Sequence, residues 1–392
     1  MNVRSLFYRH VAQTSPAPLA FEVVKAEGVW LYGPAGERRL DFISGIAVSN
    51  TGHRHPAVIK AIQEQCDRYL HTLVYGEMIL SPQVRLAERI SAHLPPGLDS
   101  VYFVNSGSEA VEGALKLAKK NTGRKKIISM QHAYHGSTHG ALSVTGDDSL
   151  KAGYGPFLPE IQHIRFNHFE DLEYINPQVA AVISEGVQGE AGVVMPLPGY
   201  LKALRARCTE TGTMLILDEI QTGFGRTGTL FYLEQADIIP DIITIAKGMG
   251  GGMPIGAFIA SIDNMRVLTR DPVLGHITTF GGHPVSCAAA LASLEVITVH
   301  GFMEALQLKS EMLKSGLQAL PVLEVKGTGM MYALRLRDFD AVQSVIQKCL
   351  RMGLLTDWFL FASDHVRVAP PLTITPAEIQ FALDVLAEAL KE

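Results

Sequence analysis

Two segments decide the fold: TMLILDEIQTG at positions 213–223 and DIITIAKGMGGGMPIG at positions 241–256. Each begins with a short apolar run, which predicts a buried strand. The first run ends at Asp218, and the second delivers Lys247 into a glycine-rich turn. Because ligands bind at the carboxyl ends of the strands in an open α/β sheet, we expect both side chains to face a binding site.

Taken singly, neither residue is specific. A strand-end aspartate is about as often a helix N-cap as a catalytic group, and an isolated lysine usually lies on the surface. Together they supply two groups that pyridoxal phosphate (PLP) chemistry needs: an amine that binds the cofactor covalently and a carboxylate that keeps its ring nitrogen protonated. The pair, followed by glycines that allow close approach of a ligand, therefore favours a PLP enzyme.

The motif LDEIQTGFGRTG at 217–228, followed by AKG at 246–248 and GGMPIG at 251–256, resembles the class III aminotransferases of PLP fold type I. The resemblance extends from Asp41 to Leu372, and within the family it is strongest to the acetylornithine/succinylornithine group. It implies an α/β large domain with a mainly parallel sheet of the seven-stranded type covered by helices. A small α+β domain from the N- and C-terminal segments completes the fold.

The chain of 392 residues exceeds the size of one compact core, so two domains are expected. Strand and helix patterns alternate between 57 and 285, which predicts a parallel sheet covered on both faces. We therefore predict an N-terminal segment at 1–56 that contributes to the small domain and the substrate entrance, a large PLP-binding domain at 57–285, and a C-terminal small domain at 286–392.

Composition argues for an ordinary globular enzyme. With 47% hydrophobic residues, 19% charged residues and a net charge of −5, the chain has no signature of a nucleic-acid or membrane partner. No apolar run approaches the roughly 20 residues of a membrane span, and no secretory signal is visible. Four scattered cysteines without a C-x-x-C pair predict a reduced, cytoplasmic protein. The histidines lack metal-ligand spacing, so no metal is expected.

A phosphate site is predicted where a strand at 101–105 leads through a small-residue turn into a helix. Backbone N–H groups and the helix dipole favour an anion there, although an ordinary serine N-cap is the alternative. The resemblance implies that Gly107 and Ser108 bind the cofactor phosphate. It also implies a homodimer, in which Thr279 reaches across the interface to the cofactor phosphate of the other subunit.

The resemblance assigns roles around the cofactor ring. Lys247 would hold the cofactor covalently and move a proton, and Asp218 would keep the ring nitrogen protonated. Gln221 would hydrogen-bond the phenolic oxygen of the ring.

Three further side chains complete this set. Ile220 and Tyr134 would pack against opposite faces of the ring, although an isolated tyrosine is more commonly a core residue. Glu185 is included as a cofactor-binding residue.

Four positions bear on the substrate. Arg367 would bind the α-carboxylate of glutamate as a bidentate fork, and Glu190 would pair with Arg367 when an ω-amine enters. Ser137 stands where many relatives that act on acidic or N-acylated ornithines carry arginine. Ile46 stands where ornithine δ-aminotransferases carry tyrosine, which argues against free ornithine as the donor.

The sequence therefore predicts a PLP-dependent aminotransferase that moves a terminal amino group, from N-acetylornithine or a similar ω-amino acid, to 2-oxoglutarate, giving glutamate. The alternatives are transamination of 4-aminobutyrate or another ω-amino acid, and a related PLP mutase, epimerase or decarboxylase. Those three commonly lack the Gln-Gly-Glu found at 188–190. A nucleotide-binding oxidoreductase is disfavoured because no G-x-G-x-x-G follows an early strand. A non-catalytic binding protein would be expected to lose Lys247.

Overall fold

A computed structural model describes residues 2–391 of the chain. Its strands are β1 Lys25–Glu27, β2 Trp30–Tyr32, β3 Arg38–Asp41, β4 Ser100–Val104, β5 Lys126–Met130, β6 Ile161–Ile164, β7 Val179–Glu185, β8 Met214–Asp218, β9 Ile242–Ile245, β10 Gly256–Ala260, β11 Glu324–Thr328, β12 Met331–Arg335, β13 Leu354–Leu355 and β14 His365–Val368.

The α-helices are α1 Val3–His10, α2 Ser44–Ala47, α3 Pro56–Cys66, α4 Ser81–Ser91, α5 Gly107–Thr122, α6 His139–Val144, α7 Tyr200–Thr211, α8 Tyr232–Ala236, α9 Ile262–Met265, α10 Pro284–Thr298, α11 Phe302–Gln318, α12 Phe339–Arg351 and α13 Pro376–Ala389. Short 3₁₀ turns lie at Asp148–Leu150, Phe169–Tyr174, Lys247–Gly250 and Arg266–Thr269.

The large sheet has seven strands in the order β4-β10-β9-β8-β7-β5-β6. β10 runs antiparallel to both of its neighbours, whereas the other pairs are parallel. Every residue of β7, β8 and β9 is buried, as continuous apolar runs predict for central parallel strands. The expected fold class is confirmed.

The described chain contains two smaller sheets besides the large one. One is antiparallel, in the order β11-β12-β14, and the other joins β1-β2-β3 to β13. In the latter sheet β13 pairs parallel to β3, with Leu354 opposite Leu40. Leu40 and Phe42 share one buried cluster with Leu313 and Leu386 of the C-terminal helices. The α+β unit is thus assembled from both ends of the chain.

Helix α10 bears on where the chain divides. Its Cys287, Leu294 and Ile297 are buried in the same apolar cluster as Leu217 of β8, so α10 packs with the large sheet. The sequence places the boundary at 285, at the start of this helix. We propose a boundary near residue 300 instead, because the helix buries its apolar face against the large domain.

Arg226 joins three distant segments of the chain. It is fully buried, and its guanidinium donates to the carbonyl oxygens of Met330 at 2.9 Å and Pro370 at 2.6 Å and to Asn50 Oδ1 at 2.5 Å. Burial lowers the pKa of Arg226 to about 9, opposed by the charge of Asp41. A buried cation held by neutral acceptors cross-links the two domains.

Within residues 2–391, no single helix is long and apolar enough to cross a membrane. Helices α10 and α11 together have the length and apolar composition of a membrane span, but the chain bends by 72° between them. In the same part of the chain, no group of three or more His, Cys, Asp or Glu side chains is arranged to hold a metal ion.

We expect Arg226→Met to destabilise the protein by at least about 3 kcal/mol, because three buried acceptors lose their donor. The measurement is the midpoint of thermal unfolding of the holoenzyme. Arg266→Met is the control, since Arg266 pairs with Asp263 on the surface and its side chain is 67% exposed. Equal midpoints for the two variants would show that Arg226 does not hold the domains together.

Candidate active site

A cavity of about 440 Å³ opens where β7, β8 and β9 end. Nine of the residues predicted from the sequence line it, namely Gly107, Ser108, Tyr134, Glu185, Glu190, Asp218, Ile220, Gln221 and Lys247. The carboxyl end of the parallel sheet therefore brings together most of the candidate site, as the strand-end pattern predicts.

Strand register places the acids and the lysine side by side. Glu185 at the end of β7 lies opposite Asp218 at the end of β8, and Asp218 lies opposite Thr244 of β9. The Glu219 backbone N–H donates to the Thr244 carbonyl at 2.9 Å, three residues before Lys247. Burial raises the pKa of Glu185 to about 7, and the neighbouring Asp218 adds to this, while His135 opposes it.

Asp218 is fixed by two contacts. His135 Nδ1 lies 2.7 Å from Asp218 Oδ2, and the Ile220 backbone N–H donates to Asp218 Oδ1 at 3.0 Å. Both His135 and Asp218 are buried. His135 is not among the residues predicted from the sequence. The signal that could have identified it is its position between Tyr134 and Gly136, in the loop that follows β5.

Lys247 occupies an unusual position. Its φ is 45°, in the left-handed region that non-glycine residues rarely adopt, and it begins the 3₁₀ turn Lys247–Gly250. No side chain in the described chain forms a hydrogen bond or ion pair with its amine. Burial lowers the pKa of Lys247, while the carboxylates of Glu190 and Asp218 raise it, with a net lowering. A larger fraction of the amine is therefore unprotonated and nucleophilic at neutral pH.

The N-terminus of α5 borders the same cavity. Ser106 caps the helix by accepting from the Glu109 backbone N–H at 3.2 Å. Within residues 2–391 the backbone N–H groups of Gly107 and Ser108 have no acceptor, as first-turn positions of a helix require. A Cβ on Gly107 would lie 2.9 Å from Ile220 Cδ1, so glycine lets Ile220 pack against this helix end.

Ser137 lies at the edge of the site and not in the cavity lining. Its hydroxyl is 3.2 Å from the Tyr134 hydroxyl, and its backbone N–H donates to Ser108 Oγ at 3.3 Å. Ser137 thus ties the predicted phosphate and ring residues to each other.

Arg367 adjoins the cavity through Glu190. The guanidinium donates to both oxygens of Glu190 at 2.9 Å, and Gln221 Nε2 donates to Glu190 Oε1 at 3.2 Å. A second acid, Asp357, accepts from Arg367 Nε at 2.8 Å. Asp357 is not among the residues predicted from the sequence, because nothing in its local sequence indicates a contact with Arg367.

Two predicted residues lie apart from this cavity. Thr279 is exposed in the loop before α10. Ile46 is half-buried, with φ of 63°, inside the kinked segment α2, whose neighbour Val48 lines the cavity.

Comparison with known proteins agrees with this geometry. The sequence profile of the family described as aminotransferase class-III matches residues 11–390. The chain belongs to the class III aminotransferases. The resemblance seen in the sequence motifs is confirmed, and the protein is an enzyme of this class.

Three relatives illustrate the range of the family. The acetylornithine aminotransferase of Caldanaerobacter subterraneus subsp. tengcongensis is 39% identical, over 94% of each chain. An (S)-enantioselective omega-transaminase from Thermomicrobium roseum superposes with a TM-score of 0.91 at 31% identity, over 100% of this chain and 98% of that one. The ornithine aminotransferase of Toxoplasma gondii, a structure with partial occupancy of PLP, superposes with a TM-score of 0.90 at 30% identity, over 98% and 92%.

Class III aminotransferases depend on PLP, and the residues of this aminotransferase fit that cofactor. The cavity offers an amine of lowered pKa at Lys247 and a carboxylate fixed in place at Asp218. Free backbone N–H groups at the start of α5 suit a phosphate. These are the groups that a covalently held, protonated, phosphorylated pyridine requires.

Lys247 in the apo form of this aminotransferase should react as an amine with a pKa below the ordinary lysine value of 10.5. Because the unprotonated amine is the reactive form, labelling by trace acetic anhydride should reach its midpoint at lower pH than in the isolated peptide containing Lys247. Mass spectrometry of the digested protein gives the midpoint, with exposed Lys60 monitoring reagent efficiency. A midpoint at or above that of the peptide would contradict the lowered pKa.

Proposed function

We propose that this enzyme transfers the terminal amino group of N-acetylornithine, or of a similar ω-amino acid, to 2-oxoglutarate. The observation that carries the proposal is the Glu190–Arg367 pair beside the cavity, in which a buried guanidinium is capped by a carboxylate that itself lines the cavity. The curated relatives named acetylornithine aminotransferase, at up to 39% identity, support this donor.

PLP, when bound, supplies the electron sink that lets the substrate carbon lose a proton. In the proposed mechanism, Lys247 would hold the cofactor covalently and would act as the base that moves the proton. Asp218, oriented by His135, would keep the ring nitrogen protonated. Gln221 would hydrogen-bond the ring oxygen, and Ile220 and Tyr134 would pack against the ring.

Dual recognition follows from the cost of an unpaired buried charge. Glutamate brings an α-carboxylate that takes the place of Glu190 on Arg367 as a bidentate partner. A donor that brings no carboxylate to this point needs Glu190 to remain paired, because the terminal nitrogens of the buried guanidinium would otherwise lose their carboxylate acceptor, while Asp357 holds only Nε. The Arg367 charge holds the pKa of Glu190 at about 2 against the opposing effect of burial, so Glu190 is ionised at neutral pH.

A second donor class is favoured by Ser137. Among the described residues that line the cavity, Lys247 is the only Lys or Arg. The position that carries arginine in many relatives is a serine bonded to Tyr134. A donor without a distal carboxylate, such as a simple ω-amine, therefore suits this side of the site better than an acidic donor does.

We also propose that the functional unit is a homodimer in which Thr279 serves the cofactor phosphate of the partner subunit. Thr279 is exposed and does not line the cavity of its own chain. Exposed apolar side chains surround it in sequence, including Val273, Ile277 and Phe280. Several exposed apolar side chains close to Thr279 in sequence support an interface between subunits at this loop.

The function is tested by single-turnover half-reactions of the holoenzyme, followed through the cofactor absorbance. The amino donors are N-acetylornithine, 4-aminobutyrate, ornithine, a simple ω-amine and glutamate. We expect N-acetylornithine to react fastest among the ω-donors and Lys247→Ala to react with none. Fastest reaction of the simple ω-amine would favour the second donor class, and no reaction of any ω-donor would overturn the proposal.

In the same assay, Glu190→Ala should slow the ω-donor half-reaction about 100-fold and the glutamate half-reaction far less, because only ω-donors leave the terminal nitrogens of Arg367 without a carboxylate acceptor. Arg367→Ala should show the reverse preference. Equal losses in both half-reactions for both variants would exclude the exchange of partners on Arg367.

Thr279→Ala should increase the dissociation constant of PLP about tenfold, since a hydrogen bond to a charged phosphate is worth roughly 1.5–3 kcal/mol. The effect should appear as loss of cofactor during dialysis. Thr269→Ala is the control, because Thr269 Oγ1 donates only to the Arg266 carbonyl of its own chain, at 2.8 Å. A fully active monomer in sedimentation would overturn the assignment of Thr279 to the partner subunit.

A further inference from the structure

The two carboxylates on Arg367 differ in how they are held. Glu190 lines the cavity and reaches the two terminal nitrogens of the guanidinium. Asp357 does not line the cavity, and it accepts a hydrogen bond from Arg367 Nε. From the cavity, an incoming carboxylate therefore meets Glu190 and not Asp357.

The backbone around Asp357 is fixed against the strand that carries Arg367. The Arg367 backbone N–H donates to the Asp357 carbonyl at 2.8 Å, and Trp358 forms an isolated antiparallel bridge with Val366. The Trp358 carbonyl accepts from the guanidinium at 3.0 Å, and the Phe359 ring centroid lies 4.3 Å from Arg367 Cζ. The backbone of Asp357 is thus held beside Arg367 by the hairpin itself.

Charge counting shows what a fixed second acid does. Arg367 with ionised Glu190 and Asp357 carries one negative charge in excess. A substrate carboxylate that displaces Glu190 adds a further negative charge to a site where Asp357 is still present. In a setting of low polarity, like charges a few ångströms apart repel strongly. Asp357 already repels Glu190 in the resting pair, but after the exchange the displaced Glu190 and the substrate carboxylate are both present near Asp357, so Asp357 weakens carboxylate binding.

We propose that Asp357 is a fixed counter-ion of Arg367 that sets the affinity of the site for a substrate carboxylate, and so determines the preference between donors with and without a carboxylate at this point. The proposal rests on the proposed function only in taking Arg367 as the carboxylate-binding residue. It makes Asp357 a specificity-determining residue that acts through Arg367.

Protonation of Asp357 should relieve the repulsion. The charged groups that face it are Arg367, Glu190 and Asp41, and Asp41 is itself 2.8 Å from His53 Nε2. Burial raises the pKa of Asp357 to about 6, with Arg367 opposing and the two acids adding. Carboxylate binding should therefore strengthen as the pH falls from about 8 to about 6.

The test uses glutarate, an unreactive dicarboxylate, and measures its dissociation constant for the holoenzyme by calorimetry. Asp357→Asn keeps an acceptor for Arg367 Nε but removes the charge. We expect it to bind glutarate at least about tenfold more tightly than the wild type at about pH 8, from loss of one like charge at close range. The difference in glutarate affinity between the variant and the wild type should become smaller toward about pH 6, after correction for the titration of glutarate itself.

Asp364→Asn is the matched control. Asp364 lies on the same hairpin and contacts His365 and Arg335, not Arg367. The Asp364→Asn variant should therefore bind glutarate with the same dissociation constant as the wild type. Adding Arg367→Gln to Asp357→Asn should abolish the gain. If Asp357→Asn fails to fold, Asp357→Ala takes its place in the same titrations.

Three results would overturn the proposal: equal glutarate affinity of Asp357→Asn and wild type, absence of glutarate binding to both, or a gain that survives the loss of Arg367. A pH dependence that persists in Asp357→Asn would assign it to His53 and Asp41 instead, which also refutes it. The donor assays judge the proposed function separately, since no ω-donor is present in the glutarate titration.

Discussion

The site depends on burying ionised side chains together where the central parallel strands end. A buried charge is tolerated only when it is paired or hydrogen-bonded. Asp218 meets this demand with His135, and Arg367 meets it with Glu190. Lys247 is the exception in the described chain, because no side chain bonds directly to its amine. Among the described residues that line the cavity, the only Lys or Arg thus has no fixed partner and is left able to react with a carbonyl.

Glu190 links the two halves of the site. It bonds to Arg367, the proposed carboxylate-binding residue, and to Gln221, the proposed partner of the cofactor ring. It also accepts from the Leu360 backbone N–H at 3.3 Å. Arg367 and Gln221 share the same oxygen of Glu190, Oε1. One side chain therefore joins the residues proposed for the substrate to those proposed for the cofactor.

The sequence could predict the parts of the structure that local pattern determines. Continuous apolar runs ending at Asp218 and just before Lys247 placed both residues at neighbouring strand ends, and the seven-stranded sheet confirms the fold that the motifs implied.

The contacts that could not be predicted from the sequence join distant parts of the chain. Asp357 meets Arg367 only because a hairpin folds back over β14, and His135 meets Asp218 across 83 positions of sequence. The packing of α10 against α3 and α4 is likewise a contact between distant segments, so local sequence does not show it. The homodimer and the role of Thr279 stay predictions, because one chain cannot test them.

The pairing of β3 with β13 has a consequence for how the protein is made. Leu40 and Leu354, adjacent in the small sheet, lie more than 300 positions apart in the chain. β3 therefore leaves the ribosome long before β13 exists, and the contact between them is of high sequence separation. The large sheet, whose strands all lie between 100 and 260, can be completed during synthesis. The edge of β3 that pairs with β13 must wait until the last part of the chain emerges, although β1, β2 and β3 can already pair with one another.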